Sequence, residues 1–389
     1  MKRLLIPLML LLGVGLVAQA ADSLDFPMPQ FINPFYDSFS RNYLSTMAMG
    51  RGNTGVAMQG GVESILHNPA AYKPDKVSLH LEMLIKPPVN TDSYGSEDRF
   101  TSPVPFGMLA IGGKLSSKLT AGMVYSLPKT IVYDDFDILM NLGAYFLQRY
   151  PTFNLHQITA NAGYHFENLH LGVNLHNQLY YQSEVTILRS FESISNTRYI
   201  LRPQAGILYK TDIGSLGLSY TPEQKIDWDL KFVQYDTVLP MNVGAGISLN
   251  KKNMRLTADL EYENFSAVSD RYNDRLAIKM GIENDVRKFT YRYGYMYMPE
   301  VYSGFFRLPM NNSATPDTAM WWDNVPLVGN IKANTQHFLS LGFTWHHQDG
   351  TINAAVLQEI AGRAPMTQIN LSLSLYLSSF RRKGFLYFE

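Results

Sequence analysis

The sequence predicts an all-β fold, a 14-stranded antiparallel transmembrane β-barrel with an N-terminal hatch inside its lumen. Three observations support this prediction. The chain opens with an export signal, residues 76–380 alternate between apolar and polar side chains, and short turns alternate there with longer loops. The chain has 389 residues, which is more than one ordinary domain needs, but β-barrels often exceed that length.

The composition narrows the class of protein. The chain has 33 basic and 33 acidic residues, so its formal net charge is zero and it lacks the basic excess of a nucleic-acid binder. It has no cysteine, which excludes a disulfide scaffold, a thiolate metal site and a cysteine nucleophile. Its 24 tyrosines suit apolar faces that end at a wet interface, because the ring is apolar and the hydroxyl is polar.

Residues 1–20 are predicted to be a signal peptide. Two basic residues precede an apolar run that extends to Val17, and Ala18-Gln19-Ala20 has the form of a cleavage site. The run is short for a transmembrane anchor, so we expect cleavage near Ala20 and a mature protein outside the cytoplasm. No later run reaches the roughly 18 apolar residues that a transmembrane helix needs. A soluble exported protein and a barrel in the outer membrane of a Gram-negative cell remain as alternatives.

Residues 21–75 are predicted to form the hatch. Five glycines lie between Gly50 and Gly61, where they permit close backbone approach and positive φ. The motif Asn68-Pro69-Ala70 follows and contains a turn signal. A flexible leader is the alternative interpretation, but the apolar side chains between Val56 and Leu66 favour packing inside another structure.

The predicted barrel occupies residues 76–380, and residues 381–389 are predicted to be a C-terminal extension. In the last strand, apolar side chains from Ile369 to Leu377 share one face and polar side chains share the other. This pattern is typical of a strand with lipid outside and a lumen inside. The fourteen predicted strands are 76–87, 104–114, 118–131, 152–166, 169–182, 197–210, 214–222, 239–249, 254–266, 274–284, 287–299, 335–346, 351–359 and 367–380.

Neighbouring predicted strands carry opposite charges on their polar faces. Strand 254–266 presents mainly acids, strand 274–284 presents bases, and strand 287–299 presents an arginine opposite a row of tyrosines. We expect opposite charges to pair across the ladder. The alternative is the solvated face of a soluble sheet, but the tyrosine face would then need a covering layer, and no amphipathic helix of suitable length is available.

The predicted connections alternate in length, as they do in outer-membrane barrels, which also have an even number of strands. Short turns are predicted at 116–117, 167–168, 212–213, 251–253, 284–285 and 348–350. The other connections are predicted at 88–103, 132–151, 183–196, 223–238, 267–273, 300–334 and 360–366.

The sequence contains no catalytic constellation, so we expect no enzyme activity, and the scattered histidines predict neither a metal site nor a cofactor. The functional candidates are lumenal cations, each of which could bind a ligand carboxylate or pair with a lumenal acid. These cations are Arg198, Arg202, Arg275, Lys279 and Arg292. Apolar residues of the outer loops are the candidates for ligand capture. They are Phe136, Leu142, Phe146, Phe305, Phe306, Trp321 and Trp322.

Several segments resemble the FadL-type family of outer-membrane transporters for long-chain fatty acids and other hydrophobic compounds. The matching segments are Met47–Gly61 with Asn68-Pro69-Ala70, Leu239–Gly246, Leu256–Phe265, Asp274–Gly281 and Tyr291–Pro299. The resemblance covers most of the mature chain, and it assigns a family role only to Asn68, Pro69 and Ala70, as the hatch motif. The chain departs from the family pattern where residues 381–389 extend past the last strand; Phe380 or Phe388 could serve as the terminal aromatic residue.

The resemblance implies passive transport in the outer membrane. Outer loops would capture a hydrophobic ligand, and the ligand would leave after hatch movement or through a gap in the wall. We therefore expect a continuous apolar pocket above the hatch, contact with outer-membrane lipid and lipopolysaccharide, and no nucleic-acid partner. The main alternative is a FadL-like barrel that serves as a partner or anchor in protein secretion or envelope assembly, with an envelope protein as its partner. A hydrophilic porin and a barrel enzyme are less well supported, because the loops are apolar and no catalytic set is present.

Overall fold

Fourteen antiparallel strands close into one barrel. Each strand pairs with its neighbours in chain order, and the last strand closes the ring on the first through pairs that run from Ser78↔Tyr376 to Ile85↔Ile369. The predicted 14-stranded antiparallel barrel is therefore confirmed. The strands are β1 Ser78–Ile85, β2 Met108–Lys114, β3 Leu119–Asp134, β4 Thr152–Phe166, β5 Leu169–Leu188, β6 Ser190–Thr211, β7 Gly214–Thr221, β8 Asn242–Lys251, β9 Met254–Glu263, β10 Arg275–Val286, β11 Phe289–Met298, β12 Gln336–His347, β13 Gly350–Glu359 and β14 Thr367–Tyr376.

The computed structural model does not describe every part of the chain. The predicted signal peptide, the start of the predicted hatch and the predicted C-terminal extension lie outside the described residues, as do Phe136, Leu142 and Phe146. The described residues are 41–74, 76–93, 96–101, 105–134, 152–188, 190–226, 238–267, 272–299, 301, 305–309, 321–326, 335–361 and 365–377.

The two ends of the barrel differ in their connections. At one end, here called the turn end, most links are tight, and Glu167, Lys252 and Arg287 have φ of 47°, 56° and 57°, as two-residue hairpin turns require. The turn predicted at 284–285 lies at 287–288 instead, because β10 and β11 stay paired as far as Val286↔Phe289. The opposite end, here called the loop end, carries the remaining connections.

The loop end contains more strand than the sequence predicts. Most of the predicted loop 183–196 is strand, because β5 and β6 stay paired up to Leu188↔Ser190. β-branched residues such as Val185 and Ile187 favour this extended conformation. Three short antiparallel pairs lie in other connections of this end. They are Val89–Ser93 with Ser96–Thr101, Gln224–Lys225 with Val238–Leu239, and Phe305–Pro309 with Trp321–Pro326.

Apolar side chains cover the outside of the barrel, and polar side chains point inward. In β14, Leu371 and Leu373 are exposed while Asn370 and Ser372 are buried. The other described strands repeat this alternation, which produces an outer apolar belt of the kind that faces bilayer hydrocarbon. The alternation predicted from the sequence is therefore present, with its polar face buried toward the lumen.

Residues 41–74, here called the lumenal segment, lie within the ring of strands. The segment contains a short helix α1, Thr46–Gly50, and two 3-10 turns, Val62–Leu66 and Pro69–Ala71. None of the described helices is long and apolar enough to cross a membrane. The segment contacts distant parts of the wall: the Gly52 amide donates to Ser340 Oγ of β12 at 2.8 Å, and Asn68 Nδ2 donates to the Ile207 carbonyl of β6 at 3.0 Å.

Glycines on the inner wall make room for the backbone of the lumenal segment. A β-carbon at Gly172 would lie 2.2 Å from the Pro69 carbonyl carbon, and one at Gly217 would lie 2.1 Å from the Val56 carbonyl oxygen. A β-carbon at Gly294 would lie 1.8 Å from the Gly52 nitrogen. The segment and the wall thus meet backbone to backbone, which only residues without a side chain allow.

Candidate ligand-binding cavity

A cavity of about 310 Å³ lies inside the barrel at the loop end. Its floor is formed by Asn53, Val56, Leu66 and His67 of the lumenal segment. Its wall comes mainly from the loop-end halves of β4 to β10. Wall residues include Leu155, His176, Tyr180, Arg202, Gln204, Thr221, Asn242, Glu261, Glu263, Phe265, Arg275 and Lys279.

Asp259 of β9 fixes the floor to the wall. Its Oδ2 accepts hydrogen bonds from the backbone amides of Gly55 and Val56, at 2.6 and 3.0 Å. Gly55 has no room for a side chain, because a β-carbon there would lie 2.5 Å from the His67 ring. The floor therefore depends on one buried carboxylate and on the absence of a side chain at residue 55.

The motif Asn68-Pro69-Ala70 lies immediately below the cavity. Asn68 is buried; its Oδ1 accepts from the Ala70 amide at 3.0 Å, and its Nδ2 donates to the Val56 carbonyl at 2.7 Å. The Pro69 carbonyl accepts from Asn161 Nδ2 of β4 at 3.1 Å. The asparagine thus caps its own turn, supports the floor and, through Ile207, contacts the wall, which explains why this turn needs an amide side chain.

His67 is a neutral group in the floor. Burial, together with the positive charges of Lys279 and Arg51, lowers its pKa to about 3. His67 belongs to the lumenal segment and not to a strand. Its ring nitrogen Nε2 has no hydrogen-bond partner among the described residues. His67 therefore presents no positive charge to a molecule above it.

The structure separates the five predicted cations into three groups. Arg275 and Lys279 line the cavity but pair with acids, Arg275 with Glu263 at 2.5 Å and Lys279 with Glu261. Arg292 lies away from the cavity. Its Nε donates to Glu283 at 2.6 Å, and it also bonds to Thr344.

The remaining two cations lie on β6. Arg198 is half-buried and outside the cavity lining, and its Nη1 donates to the Thr197 carbonyl at 3.1 Å. Arg202 lines the cavity, and among the described residues its side chain donates to the carbonyls of Pro240 at 2.6 Å and Pro222 at 3.1 Å. Among the ion pairs of the described residues, none includes Arg202, although the negative charge of Glu263 acts on it from within the same cavity.

The cavity is not the continuous apolar pocket that the resemblance led us to expect. Apolar groups such as Leu155, Tyr180 and Phe265 alternate with charged and amide side chains. The polar groups are wall residues whose inward direction is set by strand alternation. Many of them are already bonded to each other, as His176 Nε2 is to Gln204 Oε1 at 3.1 Å. His176 and Gln204 were not among the predicted site residues, although the same alternation that directs Arg202 inward also directs these two residues inward.

Four of the predicted capture residues lie in one short hairpin of the loop end. Phe305 and Phe306 belong to Phe305–Pro309, and Trp321 and Trp322 belong to its partner strand Trp321–Pro326. The register pairs Phe306 with Val325 and Leu308 with Trp322. The backbone therefore brings the predicted aromatic residues of this loop together.

In the described part of the chain, no three His, Cys, Asp or Glu residues are grouped closely enough to hold a metal ion.

Comparison with known proteins relates the fold to solved transporters. No protein-family model matches the sequence, and no curated protein matches it. Among solved structures, the Ralstonia pickettii toluene transporter TbuX matches with a TM-score of 0.62 at 12% identity, over 87% of this chain and 98% of that protein. A Pseudomonas aeruginosa FadL homologue matches with a TM-score of 0.59 at 12% identity, over 85% and 98%.

A third match is the Pseudomonas putida toluene transporter TodX, with a TM-score of 0.57 at 16% identity, over 84% of this chain and 96% of that protein. All three matches extend over nearly the whole length of the solved barrels. The resemblance noted in the sequence therefore holds at the level of the fold. This chain has the barrel fold of the TbuX and TodX transporters and of the FadL homologue.

Proposed function

We propose that the protein is a passive channel of the Gram-negative outer membrane for hydrophobic small molecules. The observation that carries the proposal is the cavity of about 310 Å³, enclosed by a barrel and floored by the lumenal segment. Its volume is in the range of small-molecule sites. Solved barrels of the same fold include transporters of toluene, which supports a hydrophobic cargo.

The outer surface supports a membrane location. Large apolar side chains face outward along strands around the ring, while the inner face is polar. The hydrocarbon core of a bilayer contains no water to hydrogen-bond unpaired backbone groups. A closed barrel pairs all of these groups between its strands, whereas an open sheet leaves the groups of its edge strands unpaired. In this proposal lipid surrounds the belt, the loop end faces lipopolysaccharide and the exterior, and the turn end faces the periplasm.

The proposal assigns the hatch role to the N-terminal residues, predicted as 21–75 and described from residue 41. The lumenal segment fills the barrel below the cavity, where its backbone touches wall glycines. A molecule bound in the cavity cannot continue toward the turn end while the floor stays in place. Transport therefore requires displacement of the floor or exit through the wall.

The ligand class follows from the cavity lining. Leucine and aromatic side chains suit an apolar body, and Arg202 suits an anionic or hydrogen-bond-accepting head group because it forms no ion pair among the described residues. A long-chain fatty acid has both parts and is our preferred ligand. A hydrocarbon such as toluene has only the apolar part.

Two variants of β6 test this assignment. We expect Arg202→Gln to weaken binding of dodecanoate roughly tenfold or more, because a charge-assisted hydrogen bond is lost. The same variant should leave the affinity for toluene within about twofold. Arg198→Gln is the matched control, since it removes the same charge from the same strand outside the cavity. Binding is measured by calorimetry on protein in non-ionic detergent.

Mass spectrometry of molecules extracted from the purified barrel is the companion experiment. A co-purifying hydrophobe that is absent from a variant lacking residues 21–72 would support the transport proposal and identify its cargo. An empty barrel that binds neither dodecanoate nor toluene would overturn it. Recovery of a bound envelope protein with that empty barrel would favour the partner or anchor role in secretion or assembly.

A further inference from the structure

A second group of polar side chains lies at the turn end, away from the cavity. It consists of Lys114 of β2, His165 of β4, His170 of β5 and Lys210 of β6, together with Lys73 of the lumenal segment. We call it the basic cluster. All four strand residues belong to the inward-facing set, because buried residues such as Gly112, Asn161, Asn174 and Leu208 lie at even spacings from them on the same strands.

The two histidines form the centre of the cluster. Their Nδ1 atoms lie 2.7 Å apart, and His170 Nδ1 also receives a hydrogen bond from Gln59 Nε2 at 2.9 Å. His165 Nε2 lies 3.3 Å from Thr120 Oγ1. Gln59 belongs to the lumenal segment, so this contact already joins the segment to the wall.

Three lysines surround the histidines. The charge of Lys73 acts on the ammonium group of Lys210, and the charges that act on the His165 ring are those of Lys73, Lys114 and Lys210. Backbone pairing also places Lys210 near the histidines, because Leu208, two residues before it, pairs with His170. Among the ion pairs of the described residues, none includes any of these lysines. Two adjacent ammonium groups repel each other unless an anion lies between them.

We propose that the basic cluster is a binding site for an oxyanion, such as phosphate or a carboxylate. A metal ion at the two histidines is disfavoured, because it would face three ammonium groups. An oxyanion accepts several hydrogen bonds at once, and lysines bind it as mobile point charges. Lys73 and Lys114 are exposed, so the site opens to the turn end. The bound anion would tie the lumenal segment, through Lys73, to the wall, through Lys210.

This site is separate from the proposed transport cavity and needs no particular cargo. Calorimetry with inorganic phosphate, and separately with acetate, at constant ionic strength in non-ionic detergent tests it on the whole chain. We expect binding of at least one anion. Lys73→Gln and Lys210→Gln should each weaken it roughly tenfold or more, because each removes a charge-assisted hydrogen bond. Binding of acetate but not phosphate would identify a carboxylate as the ligand.

Lys118→Gln is the matched control. Lys118 lies at the same end, but its ammonium group lies over the Phe166 ring, 5.7 Å from the ring centre, on the outer face. The affinity of the Lys118→Gln variant for the anion should stay within about twofold of that of the unmodified protein. Folding of each variant is checked by resistance of the barrel to SDS before heating. Absence of binding for both anions, or an equal loss in Lys118→Gln, would overturn the proposal.

Discussion

Glu283 shows how single residues connect the lumenal segment to the barrel. Its Oε2 accepts from Arg292 Nε of β11 at 2.6 Å and lies 3.4 Å from Arg51 Nη1 of the segment. Its Oε1 accepts from Arg255 Nη1 of β9 at 2.5 Å. One buried carboxylate of β10 therefore balances three guanidinium groups from three different elements.

We expect Glu283→Gln to destabilise the folded barrel by about 3–5 kcal/mol, because it leaves buried arginines without a counter-charge. The midpoint of urea unfolding, followed by tryptophan fluorescence, measures this loss. Glu167→Gln is the control, since Glu167 is exposed in a turn, and it should change the midpoint little. Equal midpoints for the two variants would refute the assigned role of Glu283.

At the scale of single residues, the sequence predicted which side chains point into the lumen better than it predicted the groups to which they bond. Alternation along β10 and β11 directs Lys279 and Arg292 inward, and the predicted pairing of opposite charges on neighbouring strands is found between Arg275 of β10 and Glu263 of β9. Alternation cannot predict that Arg202 bonds to the carbonyls of Pro222 and Pro240. Those carbonyls lie beyond the ends of other strands, so their positions depend on tertiary structure.

At the scale of elements, the wall glycines shape the contact with the lumenal segment. A methyl group at Gly294 would lie 1.8 Å from the Gly52 nitrogen, which is a backbone atom and cannot rotate away. At Gly107 the nearest atoms would be 3.4 Å away, which is an ordinary contact. These two glycines therefore respond differently to the same substitution.

We expect Gly294→Ala to displace the lumenal segment and to increase ion conductance through single barrels in planar bilayers. Overpacking of this kind typically costs about 1–3 kcal/mol of stability. Gly107→Ala should conduct as the original protein does. A Gly294→Ala channel that stays as closed as the original would contradict the role given to the contact.

The elements themselves were partly predictable. Period-two alternation predicted all fourteen strands, because each has one face toward an apolar surrounding and one toward the lumen. It did not predict the length of the β5–β6 hairpin, whose strands include most of the predicted loop 183–196, although Ser193 and Asn196 are residue types that favour turns. Pairing with a neighbouring strand outweighs such local preferences.

At the scale of the whole molecule, the apolar belt determines where the barrel is stable. Leu341 lies near the middle of β12 and is 59% exposed, while Leu115 lies just past β2 at the turn end and is 73% exposed. Both side chains point away from the protein. In a bilayer they would lie at different depths, Leu341 near the midplane and Leu115 near the interface.

We expect Leu341→Arg to destabilise the barrel in phospholipid vesicles by about 2–4 kcal/mol, and Leu115→Arg by about 0–1 kcal/mol. Unfolding by urea in vesicles measures both losses. In non-ionic detergent the difference should shrink, because a micelle adapts around a charge. Equal losses in vesicles would contradict a membrane position centred on the middle of β12.

The lumenal segment also lies across the seam where the barrel closes. Glu82 of β1 accepts from the Thr46 amide at 2.6 Å and from Asn370 Nδ2 of β14 at 3.0 Å. Gln368 of β14 donates to the Tyr43 carbonyl at 2.8 Å, across 325 residues of chain. The first and last strands thus share a template, supplied by residues that precede both in the chain. If the lumenal segment binds β1 early during assembly, β1 and the segment together present the hydrogen-bonding groups that β14 needs. β14 can then pair with β1 in only one register when the ring closes.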